Sequence, residues 1–463
     1  MWPASRLWYA GLAAMGTALS IEELARRTGE PVERLEDWRA RGLVGTADGL
    51  ASQDVERVRL VQLCLRRGIG LDTIADWARS GRMVHYLELL APPVGEARIS
   101  LVDAAAAVGL DPAVVERVTA GAAFSGTEDM DADDVEMLRA LKTALDAGFT
   151  EDTLRQFVRV YTDALGRVAE AESRLFRLYV LDRIRAQGLA GLALVEAMNE
   201  AGRLTTPLSE PVLRFFHRRA LDRAIREDAV LELAEEAGLL PHADTPGQLV
   251  AAIVFVDLSS FTPLAEAMGD ARAAEVLERF SRLVRDAAAH ADGRIVKQIG
   301  DAFMLAFNEA RAAVGFALDV ERRAAAEAQF PAVRSGIHWG PVLYREGDYV
   351  GGNVNLAARL ATEAARHQVL VTAAVRQAAH GLGGVEFVGL GRRKLKGLSE
   401  VVDLWEVRAA EAAAPTRLVD PVCGMELAPA EVAARLALDG RERVFCSEDC
   451  LRRFVTAPER YSA

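Results

Sequence analysis

Three groups of side chains in this 463-residue chain have the types and spacing for chemistry. The first is Asp257, which closes the apolar run Ile253-Val-Phe-Val and precedes Leu-Ser-Ser-Phe-Thr-Pro. Such a run reads as a buried strand, and Pro263 suits the first turn of a helix. A carboxylate at a strand end beside a helix start either caps the helix or holds a cation against phosphate. The second is Asp301, at the tip of the hairpin formed by Arg294-Ile-Val-Lys-Gln-Ile and Ala302-Phe-Met-Leu-Ala-Phe. Gly-Asp is also an ordinary turn pair. Adjacent strands lie about 4.8 Å apart, so the two acids can meet at one sheet edge. Facing a triphosphate they would hold two Mg²⁺ or Mn²⁺ ions, one activating a hydroxyl and one neutralising the leaving phosphates. The third group is Cys423, Cys446 and Cys450, three of the four cysteines, within the last 41 residues. That clustering favours metal or thiol chemistry over structural disulfides.

The elements that must position these groups follow from periodicity. Around the two acids the pattern is strand 251–257, helix 263–290, the hairpin, helix 309–328 and a strand from Val333. This βαββαβ order is the ferredoxin-like arrangement, an antiparallel sheet backed by helices. A helix from Asn353 and strands near 368–371, 385–390 and 402–407 follow. The N-terminal half reads as all-α. Ser20-Ile-Glu-Glu-Leu-Ala-Arg-Arg-Thr-Gly gives a capped helix and a turn, then a second helix through Val32, Leu35 and Trp38. The pattern recurs about 80 residues later from Ser100, which implies a degenerate internal repeat. Residues 151–240 read as long helices broken near Gly188, Gly191 and Pro207. Cys64 lies on an apolar face and reads as core, and His217 as a solvated side chain.

Composition narrows the partners. The net charge is −12, which argues against a protein built around a nucleic-acid backbone. No run reaches the roughly 18 apolar residues of a spanning helix, and the apolar start at 7–15 is too short. A cytoplasmic protein without membrane contact is expected. Residues 1–90 hold 12 basic and 12 acidic side chains, and the stretch 46–52 has no base at all. DNA is therefore not expected as a partner, even though the helix order resembles the MerR-type winged-helix module over roughly 60 residues.

The segments Phe255-Val-Asp-Leu-Ser-Ser-Phe-Thr, Val296-Lys-Gln-Ile-Gly-Asp-Ala-Phe-Met and Gly347-Asp-Tyr-Val-Gly-Gly-Asn-Val-Asn-Leu-Ala-Ala-Arg-Leu resemble the class III nucleotidyl cyclase catalytic domain. The resemblance implies conversion of a nucleoside triphosphate to its 3′,5′-cyclic monophosphate and pyrophosphate. It implies that Asp257 and Asp301 hold two Mg²⁺ or Mn²⁺ ions per site. Lys297 and Asp348 would read the purine edge; a lysine and an acid there suit adenine, hence ATP. Asn355 would orient the ribose, and Arg359, one turn on, would stabilise transition-state charge. Lys396 would contact the terminal phosphates, and the turn through Phe261 and Thr262 would offer backbone N–H groups. In this family the metal acids and the Asn/Arg pair of one site come from different subunits, which implies a head-to-tail homodimer. The alternatives are a guanylate cyclase, or a MerR-type regulator with a cyclase-like domain used only for binding.

The last segment contains Asp420-Pro-Val-Cys-Gly-Met, Phe445-Cys-Ser-Glu-Asp-Cys-Leu-Arg-Arg-Phe and Pro458-Glu-Arg-Tyr, and resembles a YHS domain. Its three thiols suit Zn²⁺ or another soft metal, with no fourth ligand evident, or remain plain thiols. Forty-odd residues bury little core alone, and 409–415 reads as a linker. The expected division is a helix-turn-helix regulatory domain at 1–95, a helical region at 96–240, the catalytic domain at 247–408 and the YHS domain at 416–463, the flanking parts tuning output.

Overall fold

The structure is a computed structural model and describes residues 19–45, 49–51, 53–80, 99–120, 122, 130–189, 191–238, 245, 247–397, 400–410 and 417–461. The apolar start at 7–15, and most of the stretches at 46–52, 238–247 and 409–415, lie outside them. The chain divides into two compact units, 1–229 and 230–463.

The first unit is helical. Helices α1 (Ile21–Thr28), α2 (Val32–Ala40), α3 (Gln53–Arg66) and α4 (Leu71–Arg79) precede α5 (Leu101–Val108), α6 (Pro112–Val118), α7 (Ala132–Asp146) and α8 (Glu151–Phe176). The local physics recurs along with the order. Ser20 and Ser100 cap α1 and α5 by accepting from the third residue on, and Gly29 and Gly109 end them in the left-handed region. Asp54 accepts from the Ala51 N–H, and Asp134 from that of Asp131. Each set has its own core, one around Leu24, Leu35, Trp38 and Val58, the other around Ala104, Val115, Val135 and Leu138. Cys64 is half-buried at the edge of the first core. A π-turn at Arg177–Leu181, which periodicity did not reveal, links α8 to α9 (Asp182–Ala186). Then come α10 (Gly191–Thr205) and α11 (Ser209–Glu236), separated by a 3₁₀ turn at Thr206–Leu208. His217 is exposed, with its ring 6.4 Å from that of Tyr161.

The second unit is organised on β1 (Gln248–Leu258). It pairs antiparallel with β3 (Ala302–Phe307) on one side and β5 (Val333–Arg345) on the other, and β3 pairs with β2 (Arg294–Ile299). The order β2-β3-β1-β5 is the expected βαββαβ sheet, extended by β7 (Val369–Thr372), β9 (Val401–Ala409) and β8 (Val385–Lys394). The short β6 (Asp348–Val350) pairs with β5. Alternation along β1 sends Ala252, Val254, Val256 and Leu258 to one face and Ala251 and Ile253 to the other. The first face is covered by α12 (Phe261–Met268), α13 (Asp270–His290) and α14 (Ala310–Ala326). The expected single helix over 263–290 is two, because Gly269 at φ 80°, ψ 163° breaks it. The second face receives α15 (Gly352–Glu363). There Gly336 lets the helix approach so closely that a Cβ would sit 2.2 Å from the Ala361 nitrogen.

The tail is not the separate unit expected of it. Its β11 (Met425–Leu427) pairs with β10 (Leu418–Val419) and, on its other edge, with β4 (Phe330–Pro331) of the sheet-bearing domain. Val422, Met425, Leu427, Phe445 and Phe454 join the same buried cluster as Phe280 and Phe330. Burying each is worth roughly 1.5–3 kcal/mol, which is how so short a segment is stabilised. The hairpin of β12 (Ala434–Leu438) and β13 (Arg441–Phe445) and helix α17 (Glu448–Thr456) complete it; α16 is Ala373–Ala378. Charge adds to the docking. His367 lies between Glu321 (3.1 Å) and Glu426 (2.7 Å). Those two bonds, against burial, raise its pKa to about 9. Burial pulls the Glu426 carboxyl up, but His367 and Arg366 outweigh it and hold it below its ordinary value.

A histidine raised on folding contributes fully below its unfolded pKa of 6.5 and loses that contribution as pH rises through about 9. The thermal midpoint should therefore fall between about pH 7 and pH 10 by more in the native chain than in His367→Ala. Parallel pH profiles for the two would contradict the arrangement.

Candidate active site

Asp257 and Asp301 meet at the end of β1. Asp257 stands opposite Ala302 on β3 and opposite Arg334 on β5, and Asp301 occupies the turn just before Ala302. Arg334 donates through Nε (3.0 Å) and Nη2 (2.6 Å) to one oxygen of Asp257, and its Nη1 reaches the Thr362 carbonyl at the end of α15 (3.1 Å). Burial, then the neighbouring Asp257 charge and a bond to it, push Asp301 up to about 6, with Arg334 only partly offsetting them. Two carboxylates are thus held against each other with one guanidinium, that of Arg334, bonded to Asp257. Arg334 was not singled out from the sequence; on an alternating strand it reads as an outward-facing residue.

Lys297 and Asp348 form an ion pair between β2 and β6. Asp348 is oriented by the Tyr349 N–H (2.8 Å). A β-bulge between Ile295 and Lys297 makes this pairing available. Ile295 opposes Leu305, whose side chain belongs to the helix-covered face, and Lys297 opposes Met304, which belongs to the other. Strict alternation would have sent Lys297 the wrong way; the inserted residue re-aims it. Since Met304 stands opposite Phe255, two residues before Asp257, Lys297 and Asp257 share a face.

The remaining predicted residues form a second group. Asn355 and Arg359 lie exposed on α15, four residues apart. The Arg359 guanidinium lies beside Gly397, the neighbour of exposed Lys396; a Cβ on Gly397 would be 3.7 Å from Nη2. Among the described residues, neither Asn355 nor Arg359 hydrogen-bonds to Asp257, Asp301, Lys297 or Asp348. Phe261 and Thr262 open α12, where N–H groups lack intrahelical acceptors. Just outside this pair, Ser259 donates its N–H to the Ala332 carbonyl (2.8 Å) and Pro263 has none to offer.

The three tail thiols converge: Cys423 and Cys450 each place sulfur 3.6 Å from that of Cys446. A fourth group, unnoticed in the sequence, is fully buried Asp420, with donor atoms of all four within 4.8 Å of one another. Its signal was its place three residues before Cys423. Its two oxygens accept from the N–H groups of Val422 and Cys446 at 2.8 Å. Bonds from Cys423 and then Cys446 hold the Cys450 thiol well below its ordinary value, and Cys423 is pushed far up by its bonds to the other two sulfurs. One thiolate is therefore favoured within the cluster. Among the described residues no helix is long and apolar enough to cross a membrane.

A carboxyl raised on folding costs stability as pH rises through its titration range. Without divalent cation, Asp301→Asn should stabilise the protein at pH 7 by about 1 kcal/mol, discounted for partial exposure. The gain should vanish below about pH 4. Urea unfolding at the two pH values measures it, and a pH-independent effect would show that Asp301 is not raised.

Residues 247–406 match the family model described as the adenylate and guanylate cyclase catalytic domain, and 418–463 that of the YHS domain. Residues 36–221, spanning most of both helical repeats, match that of the adenylate cyclase regulatory domain. An uncharacterized protein of Mycobacterium tuberculosis is 34% identical over 247 residues, 52% of this chain and 61% of that one. The chain thus spans about three-fifths of the length of the first curated relatives it matches. A pH-sensitive adenylate cyclase of the same species is 27% identical over 389 residues, 81% of this chain and 94% of that protein. A crystal structure of an adenylyl cyclase from P. aeruginosa aligns with 36% of this chain and 98% of its own, at 20% identity and a TM-score of 0.32. From residue 247 to residue 406 the chain carries a member of the adenylate and guanylate cyclase catalytic family, with an adenylate cyclase regulatory region before it in sequence and a YHS domain after it.

Proposed function

We propose that the chain is an adenylate cyclase converting ATP to 3′,5′-cyclic AMP and pyrophosphate at a site completed by a second copy of itself. The observation that carries this is the convergence of Asp257 and Asp301 beside a helix start, inside a domain of cyclase type. Two hard carboxylates with too little positive charge around them fit Mg²⁺ or Mn²⁺. When bound, two such ions would make the ribose 3′-hydroxyl a better nucleophile and neutralise the leaving pyrophosphate.

The chain's own residues do the rest. Arg334 orients Asp257 through two bonds to one of its oxygens. The N–H groups of Phe261 and Thr262 donate to phosphate oxygens. Lys297 donates to adenine N1 and Asp348 accepts from the N6 amine; their existing ion pair orients both for that edge. Asn355 holds the ribose, Arg359 offsets charge growing at phosphorus, and Lys396 meets the terminal phosphates. Asn355 and Arg359 make no bond to the acids of their own chain, which supports a head-to-tail pairing in which each copy serves the other's acids. Ile299 and Val350, on the strands that carry Lys297 and Asp348, are 51% and 42% exposed, an apolar surface that a second copy would cover. The helical region and the tail adjust this output.

Purified protein given ATP or GTP with Mn²⁺ or Mg²⁺ should yield mainly cyclic AMP; no cyclic product under any of these conditions would sink the proposal. Asp257→Asn and Arg359→Ala should each cut kcat by about 10²–10³-fold while the fold persists by circular dichroism. Mixing the two inactive variants should restore activity to about a quarter of the native level, because half the pairs are mixed and each has one intact site. If mixing restores nothing, the two residues serve the same chain.

A further inference from the structure

The tail touches the candidate active site at the turn through Ser260. Gly424 follows Cys423, has φ +71°, and would place a Cβ 2.6 Å from that of Ser260. Only glycine fits that contact. Ser260 is itself left-handed at φ 68°, a costly conformation for a residue with a side chain, and it leads into Phe261 and Thr262. Arg366 fastens the two loops together. Its Nη2 donates to the Gly424 carbonyl (2.8 Å) and to Glu426 (3.1 Å), and its Nη1 reaches Ser260 Oγ (3.4 Å). The Gly424 N–H in turn donates to the Asp420 carbonyl (2.9 Å). The loop that bears Asp420 and Cys423 therefore rests on the turn assigned to phosphate.

We propose that Asp420, Cys423, Cys446 and Cys450 form a site for a thiophilic cation whose occupancy sets the Ser260–Thr262 turn, and with it the affinity for the nucleoside triphosphate. The identity of that nucleotide rests on the cyclase reading above. Three sulfurs and one carboxylate make a four-ligand set suited to Zn²⁺. Zn–S bonds of about 2.3 Å in a tetrahedron require sulfurs about 3.8 Å apart, and the two measured separations are 3.6 Å. Binding releases the remaining thiol protons to solvent and replaces S–H contacts with bonds to the ion. Cys423 is then fixed, Gly424 with it, and Ser260 cannot shift without meeting the Gly424 backbone. A turn already held in place loses less freedom when nucleotide binds, so loading lowers KM and leaves the chemical step nearly unchanged.

The test uses the full chain, stripped of metal and kept in excess Mg²⁺, titrated with Zn²⁺ or with Co²⁺ as a coloured substitute. One Co²⁺ per chain with sulfur-to-cobalt charge-transfer absorption is expected. Amide exchange over 259–262 should slow, and KM for ATP should fall at least about fivefold, the low end of ordinary coupling. Cys423→Ser should lose the absorption and the KM response together. Gly424→Ala should keep the absorption and lose the response. No cation uptake, or uptake with unchanged exchange and unchanged KM, would overturn the proposal. Calorimetry with a non-cyclisable ATP analogue separates the two readings. If its Kd responds to the cation while no cyclic product ever forms, the control element stands and the cyclase reading falls; cyclic AMP formation indifferent to the cation gives the reverse.

Discussion

Two like charges forced together at the end of a mostly buried strand set the terms for the second unit. Asp257 cannot retreat, because it is fixed between β3 and β5 by pairing on both edges. Asp301 cannot swing away, because a tight turn places it one residue before the β3 ladder. Arg334 compensates part of the repulsion, and Asp301 keeps its proton to about pH 6 for the rest. The strain is electrostatic and local, and a divalent cation is the natural way to relieve it. The burial of β1 on both faces makes the arrangement stiff: Ala252, Val254 and Val256 are held by helices on one side, and Ala251 and Ile253 by α15 on the other.

The two faces divide the labour. The helix-covered face carries the large apolar cluster and now also the tail, so it serves stability. The opposite face is only partly covered, and it carries Asp257, Lys297 and the helix bearing Asn355 and Arg359. A bulge in an edge strand moves Lys297 from the first face to the second. One inserted residue therefore keeps an exposed lysine within reach of Asp348, where strict alternation would turn it toward the helix-covered face.

How much of this could be read from the sequence depended on how local the signal was. The β1 run with its terminal acid, the Gly-Asp hairpin tip, and the βαββαβ order come from short stretches whose periodicity and turn chemistry are self-contained. So do the paired Ser caps and Gly stops of the helical repeat. Features that exist only through distant neighbours were not legible. Arg334 gains its role because it lies across the sheet from Asp257, 77 positions away. Asp420 becomes a fourth donor only when β13 brings Cys446 to it. The docked tail was missed for the same reason: judged by its own forty-odd residues it lacks a core, and its core is borrowed from Phe330 and Phe280. The bulge at Ile295–Lys297 and the break at Gly269 interrupt patterns that otherwise run on smoothly, so periodicity alone passes over them.

The pairing of Glu426 with Phe330 has a consequence for how the molecule is made. A nascent chain that has just completed β9 has the whole main sheet in hand, yet the edge at Phe330–Pro331 is still bare. Its aromatic cluster also waits for side chains encoded almost a hundred codons downstream. Closing so distant a contact is slow compared with forming the hairpins and helices around it. Until then the domain offers an open strand edge and an apolar patch to any neighbouring chain on the same messenger. Translation arrested inside the tail would thus release a product whose main sheet is complete but which is colloidally unsafe, and quality control would meet it as an aggregating species.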